Sequence, residues 1–473
     1  MLKHIIQVMT STSTVLHLGL GAFHRAHQLA YMQALRDAGD VAWRSVSANI
    51  RPDADDPASI LARQDHAYTL EVTRASGARE YRRITVLDAA LPYTPGLEQA
   101  LAVGAAASTR IVSFTVTEAG YYLDADGVLA AGSDELRAAL DAARQGQPGT
   151  TIYGVLAAIL RRRQQQGSGP LTLLCCDNLR HNGRRVQAGL RQFLALAGAA
   201  DLAAWVEAHT SFPNTMVDRI TPSASAELFA RVRAATGRDD RAAVGCEAHT
   251  QWVIEDDFRN GRPGWEHVGV QLVDAVDRFE EAKIRVLNAS HSAIAWAGSL
   301  AGHRHIHEAL RDPRIHSLVH AWITDGVFDC LRPSPIDLDA YRDQVLERFA
   351  GDAIQDTVER VLVDSFAKLP GFVVPTIRDR IRLKLDLEPV AILPALFLRV
   401  LLRWRAGTLP TAYRDQARER AGCAVIDAIC DAVDPVAAFC AEPLFWDELA
   451  GDPRLVRAIG AAMPGVAAME TAV

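Results

Sequence analysis

The sequence predicts an α/β protein, with a doubly wound parallel sheet in its first part and a mainly α-helical second part. Three observations carry this expectation. Strand-length apolar runs alternate with helical patterns up to about residue 280, the first run closes on a glycine turn, and beyond Glu280 the long apolar patterns all have helical spacing. Strands alternating with helices build a parallel sheet, and a glycine turn after the first strand makes the N-terminal part Rossmann-like. The expected domains are residues 1–279, binding a dinucleotide, and 280–473, all-helical and carrying the catalytic helix.

The first strand, VLHLGLG, runs directly into the helical stretch AFHRAHQLAYMQAL. Gly19 would make the tight turn and Gly21 would let backbone approach a pyrophosphate, with Ala22 and Phe23 opening the helix. His24 occupies the third fingerprint position, where glycine is expected. Taken alone, such a turn could equally close an ordinary βα connection. The second strand, RSVSANI, is followed by Asn49, Arg51 and Asp53; an acid there argues for NAD and an arginine for NADP. RIVSFTVTE and LTLLCCDN supply further strands, and ELRAALDAAR and IYGVLAAILRRRQQQ supply helices.

In the second part EEAKIRVLNASHSAIAWAGSLAG, SLVHAWITDGVFDCL, YRDQVLERFA, TVERVLVDSFAKL, ALFLRVLLRWRAG and CAVIDAICDAV each read as one amphipathic helix. RPSPID and KLPGFVVP punctuate them.

Composition narrows the function. With 473 residues, 49% of them hydrophobic, the chain can bury a large core, and a net charge of −7 without a basic cluster argues against nucleic acid as a partner. No apolar window approaches the ~20 residues of a membrane helix, and the N-terminus lacks a secretory pattern, so a cytoplasmic protein is expected. The seven cysteines are scattered, which argues against a disulfide framework. Neither C-x2-C nor H-E-x-x-H occurs, so no metal site is expected. Only four of the 50 basic residues are lysines, which makes each lysine a stronger candidate for chemistry.

One lysine stands in KIRVLNASH, where Lys283, Asn288 and His291 share a helix with Glu280. At ~100° per residue from Lys283, Glu280 falls near ~60°, His291 near ~80° and Asn288 near ~140°, so one face can carry all four. Lys283 and His291 would stand ~12 Å apart along the axis. These residue types suit the oxidation of a secondary alcohol. A lysine buried beside a positive nicotinamide can act as a general base, amide NH2 groups can donate to an oxygen gaining alkoxide character, and histidine can orient hydroxyls. A solvated helix face would also accommodate these residues.

GLGAFHRAHQ, FTVTEAGYY, CCDNLRHNG, FPNTMVDRITP, QWVIEDDF and KIRVLNASHSAIAWAGSL occur in that order, and with TVERVLVDSFAKLP they cover nearly the whole chain. Together they resemble the polyol-specific long-chain dehydrogenases and reductases, a family acting on mannitol, D-arabinitol and hexuronates. In that family G-x-G-x-F-H-R-x-H-Q is the nucleotide turn. The resemblance implies a metal-independent, NAD-dependent enzyme that interconverts a polyol and a ketose and acts as a monomer. It implies that Lys283 is the general base, that Asn178 and Asn288 hold the reacting oxygen, and that His291 positions the polyol. It places Arg360 and Lys368 at the more distant hydroxyls, Glu280 in a proton relay and Asp218 in support; for these last two, ordinary ion pairing is the alternative. Gly19, Gly21, Ala22, Phe23, Asp53 and Thr117 make up the cofactor side. Within the family, IRPDA, FTVTEAGYYL and LNASHSAIAWAG are most similar to members acting on D-arabinitol, with mannitol-oxidising members next. A non-catalytic nucleotide sensor on the same scaffold is the reading from another class, and the intact lysine, asparagine and histidine set argues against it.

Overall fold

A computed structural model describes residues 12–52, 56–116, 118–124, 127–352, 355–415 and 423–470. The chain divides into two compact units after Asp277, with Arg74–Ala78 counted in the second unit.

The apolar runs of the first unit become β1 (Ser13–Leu18), β2 (Trp43–Ala48), β3 (Leu87–Leu91), β4 (Thr109–Phe114), β5 (Leu171–Cys175) and β6 (Thr210–Ser211). They form one sheet in the order β3-β2-β1-β4-β5-β6, parallel throughout. All of β1 is buried, as a strand covered on both faces requires. Its pleat sends Leu16 and Leu18 into one core with Val112 and Leu173, and Val15 into another with Ile111 and Leu174. Leu16 pairs with both Val46 and Val112, which fixes the register at the centre. Strand order reverses between β1 and β4, and in doubly wound sheets that reversal opens a crevice at the carboxyl ends of the strands. The fold class is the one the sequence predicts.

Helices pack on the sheet with ordinary termini. Ile152–Gln166 begins with Thr151 accepting from the Gly154 amide and ends on Gly167. Asp134–Arg144 is capped in the same way by Ser133. Two small sheets complete the unit: a hairpin of Tyr68–Thr73 and Arg79–Ile84 joined by Val244–Glu247, and Thr215–Asp218 with Gln251–Glu255 and Gln271–Val273. Cys175, Cys176, Cys246, Cys330, Cys430 and Cys440 are free thiols.

In the second unit the described residues form helices, with one isolated bridge between His305 and Thr357. Its core is built around Ala289–Ala301, a helix buried on nearly every side, as the all-round apolar AIAWAGSLA demands. The sequence reading needs correcting here: SLVHAWITDGVFDCL contains the π segment Trp322–Val327, and KLPGFVVP does not separate helices but runs through the π segment Leu369–Val373. The stretch around Lys283 is α-helical only over Asp277–Ala282 and from Ala289 onward; Lys283–Asn288 is a π-helix. TVERVLVDSFAKL is not one helix but two, Val358–Leu362 and Ser365–Lys368, broken by Asp364 in the left-handed region at φ 57°. Among the described residues no helix is long and apolar enough to cross a membrane.

Candidate active site

The glycine turn follows β1 and lies against the end of β4. Gly19 has φ +104°, and a Cβ there would stand 2.4 Å from the Thr115 carbonyl oxygen, so the position excludes every side chain. At Gly21 a Cβ would meet nothing within 4 Å. One glycine is therefore set by space and strain, and the other leaves backbone open toward a cleft walled by Asn49, Arg51, Thr115, Val116 and Gly120. The Leu20 amide donates to Asn49 Oδ1 at 3.1 Å, while Asn49 Nδ2 is buried without a partner. An open glycine backbone and an unused amide donor fit a polar, phosphate-bearing ligand. Ala22 and Phe23 open the short helix Ala22–Ala26, with the Phe23 ring 4.9 Å from His27. Arg51 donates to the Thr150 carbonyl at 3.0 Å and to the Tyr122 hydroxyl at 2.6 Å. Asp53 and Thr117 lie outside the described residues.

The histidine that replaces the third glycine has a structural use. His24 stacks on His17 with ring centres 3.5 Å apart; its Nε2 lies 2.9 Å from Ser47 Oγ, and His17 Nδ1 lies 2.8 Å from Ser113 Oγ. The pair thereby ties β1 to β2 and β4. Burial lowers both imidazoles, His24 to about 3, so they stay neutral. The rest of the motif is pinned as well: Arg25 donates to the Ala242 carbonyl, and His27 Nε2 lies 2.9 Å from the Gln251 carbonyl.

Asn178 is exposed in the turn that follows β5. That turn is fastened by a residue to which the sequence reading gave no role, Asn182. Its Nδ2 donates to the Thr215 carbonyl at 2.9 Å and the Asp177 carbonyl at 3.0 Å, and its Oδ1 accepts from the Thr215 amide at 2.9 Å. Asp177 accepts from the Val116 amide at 2.8 Å and from the Tyr121 hydroxyl. With only six asparagines in the chain, their scarcity was the available signal; Asn214 is likewise fully buried and bonded to Glu255 at 3.0 Å. Asp218, buried at the end of its strand, lies 3.3 Å from His249 Nε2.

In the second unit Lys283 and Asn288 are the first and last residues of the π segment, an i to i+5 spacing that matches its hydrogen-bond period. The step of ~100° per residue does not run through that segment, so the predicted angles of Asn288 and His291 from Lys283 do not hold. Burial is more informative. From Ala282 to Ala301 every residue is buried except Asn288 and His291, three apart and so on one face. Glu280 and Lys283 are buried, 5% and 6% exposed. Arg285 is taken up by Glu281 and Asp379, both at 2.6 Å.

His291 Nε2 lies 3.1 Å from Asp356 Oδ2, off the line of a straight hydrogen bond, and its ring stacks on Phe349 at 4.6 Å. Burial lowers the imidazole against the pull of Asp356. Arg360 grips the same carboxylate through Nε and NH2, both at 2.6 Å. Lys368 Nζ donates to the carbonyls of Val361 and Val363 at the helix break, and burial brings its ammonium down to about 8. Within this unit His305, His307 and Glu308 have donor atoms within 4.8 Å of one another, but the Glu308 carboxylate accepts the amides of Arg304 and His305 at the start of its helix.

The doubly wound sheet with its glycine turn, and the helical unit presenting lysine, asparagine and histidine, define a long-chain dehydrogenase. The chain belongs to the mannitol dehydrogenase family: residues 13–267 match the mannitol dehydrogenase Rossmann domain and residues 275–466 the mannitol dehydrogenase C-terminal domain. It is 47% identical to D-arabinitol 4-dehydrogenase of Ralstonia nicotianae over 97% of each chain. With D-arabinitol 4-dehydrogenase of Klebsiella pneumoniae it shares 44% identity over 94% of this chain and 96% of the other. Among solved structures it resembles Pseudomonas fluorescens mannitol 2-dehydrogenase in ternary complex with NAD and D-mannitol, with a TM-score of 0.81 and 33% identity over 97% of this chain and 93% of that one.

Proposed function

We propose that this chain is an NAD-dependent polyol dehydrogenase that interconverts D-arabinitol and D-xylulose with a lysine as general base and no metal ion. The observation that carries the pentitol reading is the near full-length likeness to two D-arabinitol 4-dehydrogenases. The cofactor reading is supported by the shape of the glycine turn, where Gly19 admits no side chain and Gly21 leaves backbone open beside the unpartnered Asn49 amide.

Bound NAD supplies the hydride acceptor. The chain's own residues handle the oxygen and the proton. Lys283, in its neutral form, takes the hydroxyl proton as the C–H bond gives up its hydride and the C=O bond forms. Asn178 and Asn288 donate to that oxygen as charge develops on it. Glu280, three residues before Lys283, passes the proton on toward solvent. His291 orients a neighbouring hydroxyl while remaining neutral, and Arg360 and Lys368 hold hydroxyls further along the polyol, with Asp218 in support. Gly19, Gly21, Ala22, Phe23, Asp53 and Thr117 serve the cofactor.

The test is a substrate panel of D-arabinitol, D-mannitol, D-sorbitol and xylitol with NAD or NADP, read by absorbance of the reduced cofactor before and after prolonged EDTA treatment. D-arabinitol with NAD is expected to give the highest kcat/KM, unchanged by chelation. Preference for D-mannitol would move the chain to the hexitol branch. Loss of activity to EDTA with recovery on zinc would remove the lysine mechanism, and a wild type inactive on every polyol would remove the enzyme reading.

A further inference from the structure

Asp356 belongs to none of the groups assigned so far, yet the second unit holds it with unusual care. Thr357 makes the isolated bridge with His305, the Ile306 amide donates to the Asp356 carbonyl at 2.9 Å, and the Val358 amide donates to the Arg304 carbonyl at 3.0 Å. These bonds fix the Asp356 backbone against the start of the helix Ile306–Arg311. Its side chain is only 12% exposed, with Arg360 on both of its oxygens at 2.6 Å and His291 Nε2 at 3.1 Å from Oδ2.

The carboxylate does more than neutralise a surface arginine. The Arg360 side chain is 64% exposed, whereas the carboxylate that it grips is largely buried. The buried partner is His291, whose ring has Phe349 stacked against it and Asp356 at one nitrogen. Burial would raise the Asp356 carboxyl, but His291 and Arg360 override it and hold the group below the usual carboxylate range. A buried carboxylate 3.1 Å from one imidazole nitrogen draws that edge of the ring toward it and favours the proton on that nitrogen.

We infer that Asp356 is a positioning residue, holding the His291 ring by one edge and the Arg360 guanidinium by the other so that both polyol-contacting groups take their geometry from one carboxylate. This rests on the assignment of His291 and Arg360 to the polyol.

The experiment compares wild type with Asp356→Asn, Arg360→Gln and the double variant. NMR follows the imidazole resonance that disappears in His291→Gln, and kcat/KM is measured for ketose reduction. The charged groups facing His291 are Asp356, Arg360 and Lys368. In Asp356→Asn the imidazole midpoint is expected to fall, because the ring loses its carboxylate and keeps both cations. kcat/KM should fall by ~10²-fold, the scale of a misplaced contact group. Arg360→Gln should add little on the Asp356→Asn background, since its geometry is already lost. A stationary midpoint, or losses that simply multiply in the double variant, overturns the inference. If Asp356→Asn does not fold, Arg360→Gln alone decides: the midpoint should rise as one cation leaves, and an unmoved midpoint overturns the shared-carboxylate geometry. A wild type without polyol activity would remove the functional reading, while the NMR comparison would still decide whether the Asp356 carboxylate acts on the ring.

Discussion

Alanine at Gly19 and alanine at Gly21 should separate what the two turn glycines do. At Gly19 the φ of +104° lies where only glycine is at ease, and the new Cβ would fall 2.4 Å from the Thr115 carbonyl oxygen. The backbone conformation costs ~1–3 kcal/mol, and relieving the overlap adds ~1–3 kcal/mol. Their sum, ~2–6 kcal/mol, corresponds to a fall in Tm of at least ~4 °C at ~2–4 °C per kcal/mol for a domain of this size. Gly21, with φ −71° and no atom within 4 Å of its would-be Cβ, should accept alanine with Tm unchanged. Its methyl would project into the space left for the cofactor backbone, so KM for NAD should rise about tenfold, equivalent to ~1.4 kcal/mol of lost binding. Thermal melts and KM for NAD at saturating polyol measure both effects. Gly21→Ala with unaltered NAD affinity would show that this cleft does not take the dinucleotide, and Gly19→Ala with a wild-type Tm would refute the steric argument.

Lys283→Arg should lose ~10²–10⁴-fold in turnover, because guanidinium stays protonated where a general base must be neutral. NAD affinity should remain near normal, and the rise of polyol oxidation with pH expected of the wild type should vanish; an active variant retaining that limb would exclude Lys283 as the base. Asn178→Ala and Asn288→Ala should each lower kcat more than they raise KM, since donors to a developing alkoxide act mainly in the transition state, and a pure KM effect would reassign them to binding. Lys368 titrates near 8 when folded and near 10.5 when unfolded, so between these values the unfolded chain binds more protons and stability rises with pH. Chemical denaturation from pH 8 to about 10 should show that slope in wild type and a shallower one in Lys368→Met; equal slopes would mean that the ammonium is not desolvated.

Much of this was legible in the sequence because it was written locally. β1, β2, β4 and β5 were visible as apolar runs, the two glycines as a turn, and the Lys283 helix as a coincidence of scarce residue types. Features that depend on distant partners were not. The strand Arg79–Ile84 reads REYRRI, and its charged, half-exposed face hides its pairing with Tyr68–Thr73. The π segment at Lys283–Asn288 leaves no mark on a 3.6-residue pattern, and the angles calculated without it failed. Asp364 breaks a run that looked helical because a left-handed aspartate is indistinguishable in sequence from a helical one. Asn182 and Asp356 were missed for a common reason: each acts through groups tens of residues away, Thr215 in one case and His291 in the other.

The stacked pair His17 and His24 also bears on how the protein meets acid. Histidines near a nucleotide turn would ordinarily make its shape a function of pH, since a protonated ring must shed an acceptor and repel its neighbour. Here the rings are buried face to face between serine hydroxyls, and protonating His24 waits until about pH 3. His17 and His24 thus stay neutral far below the range in which Lys368 changes charge. The two histidines at the glycine turn then serve as neutral packing, and the shape of that turn does not depend on their charge.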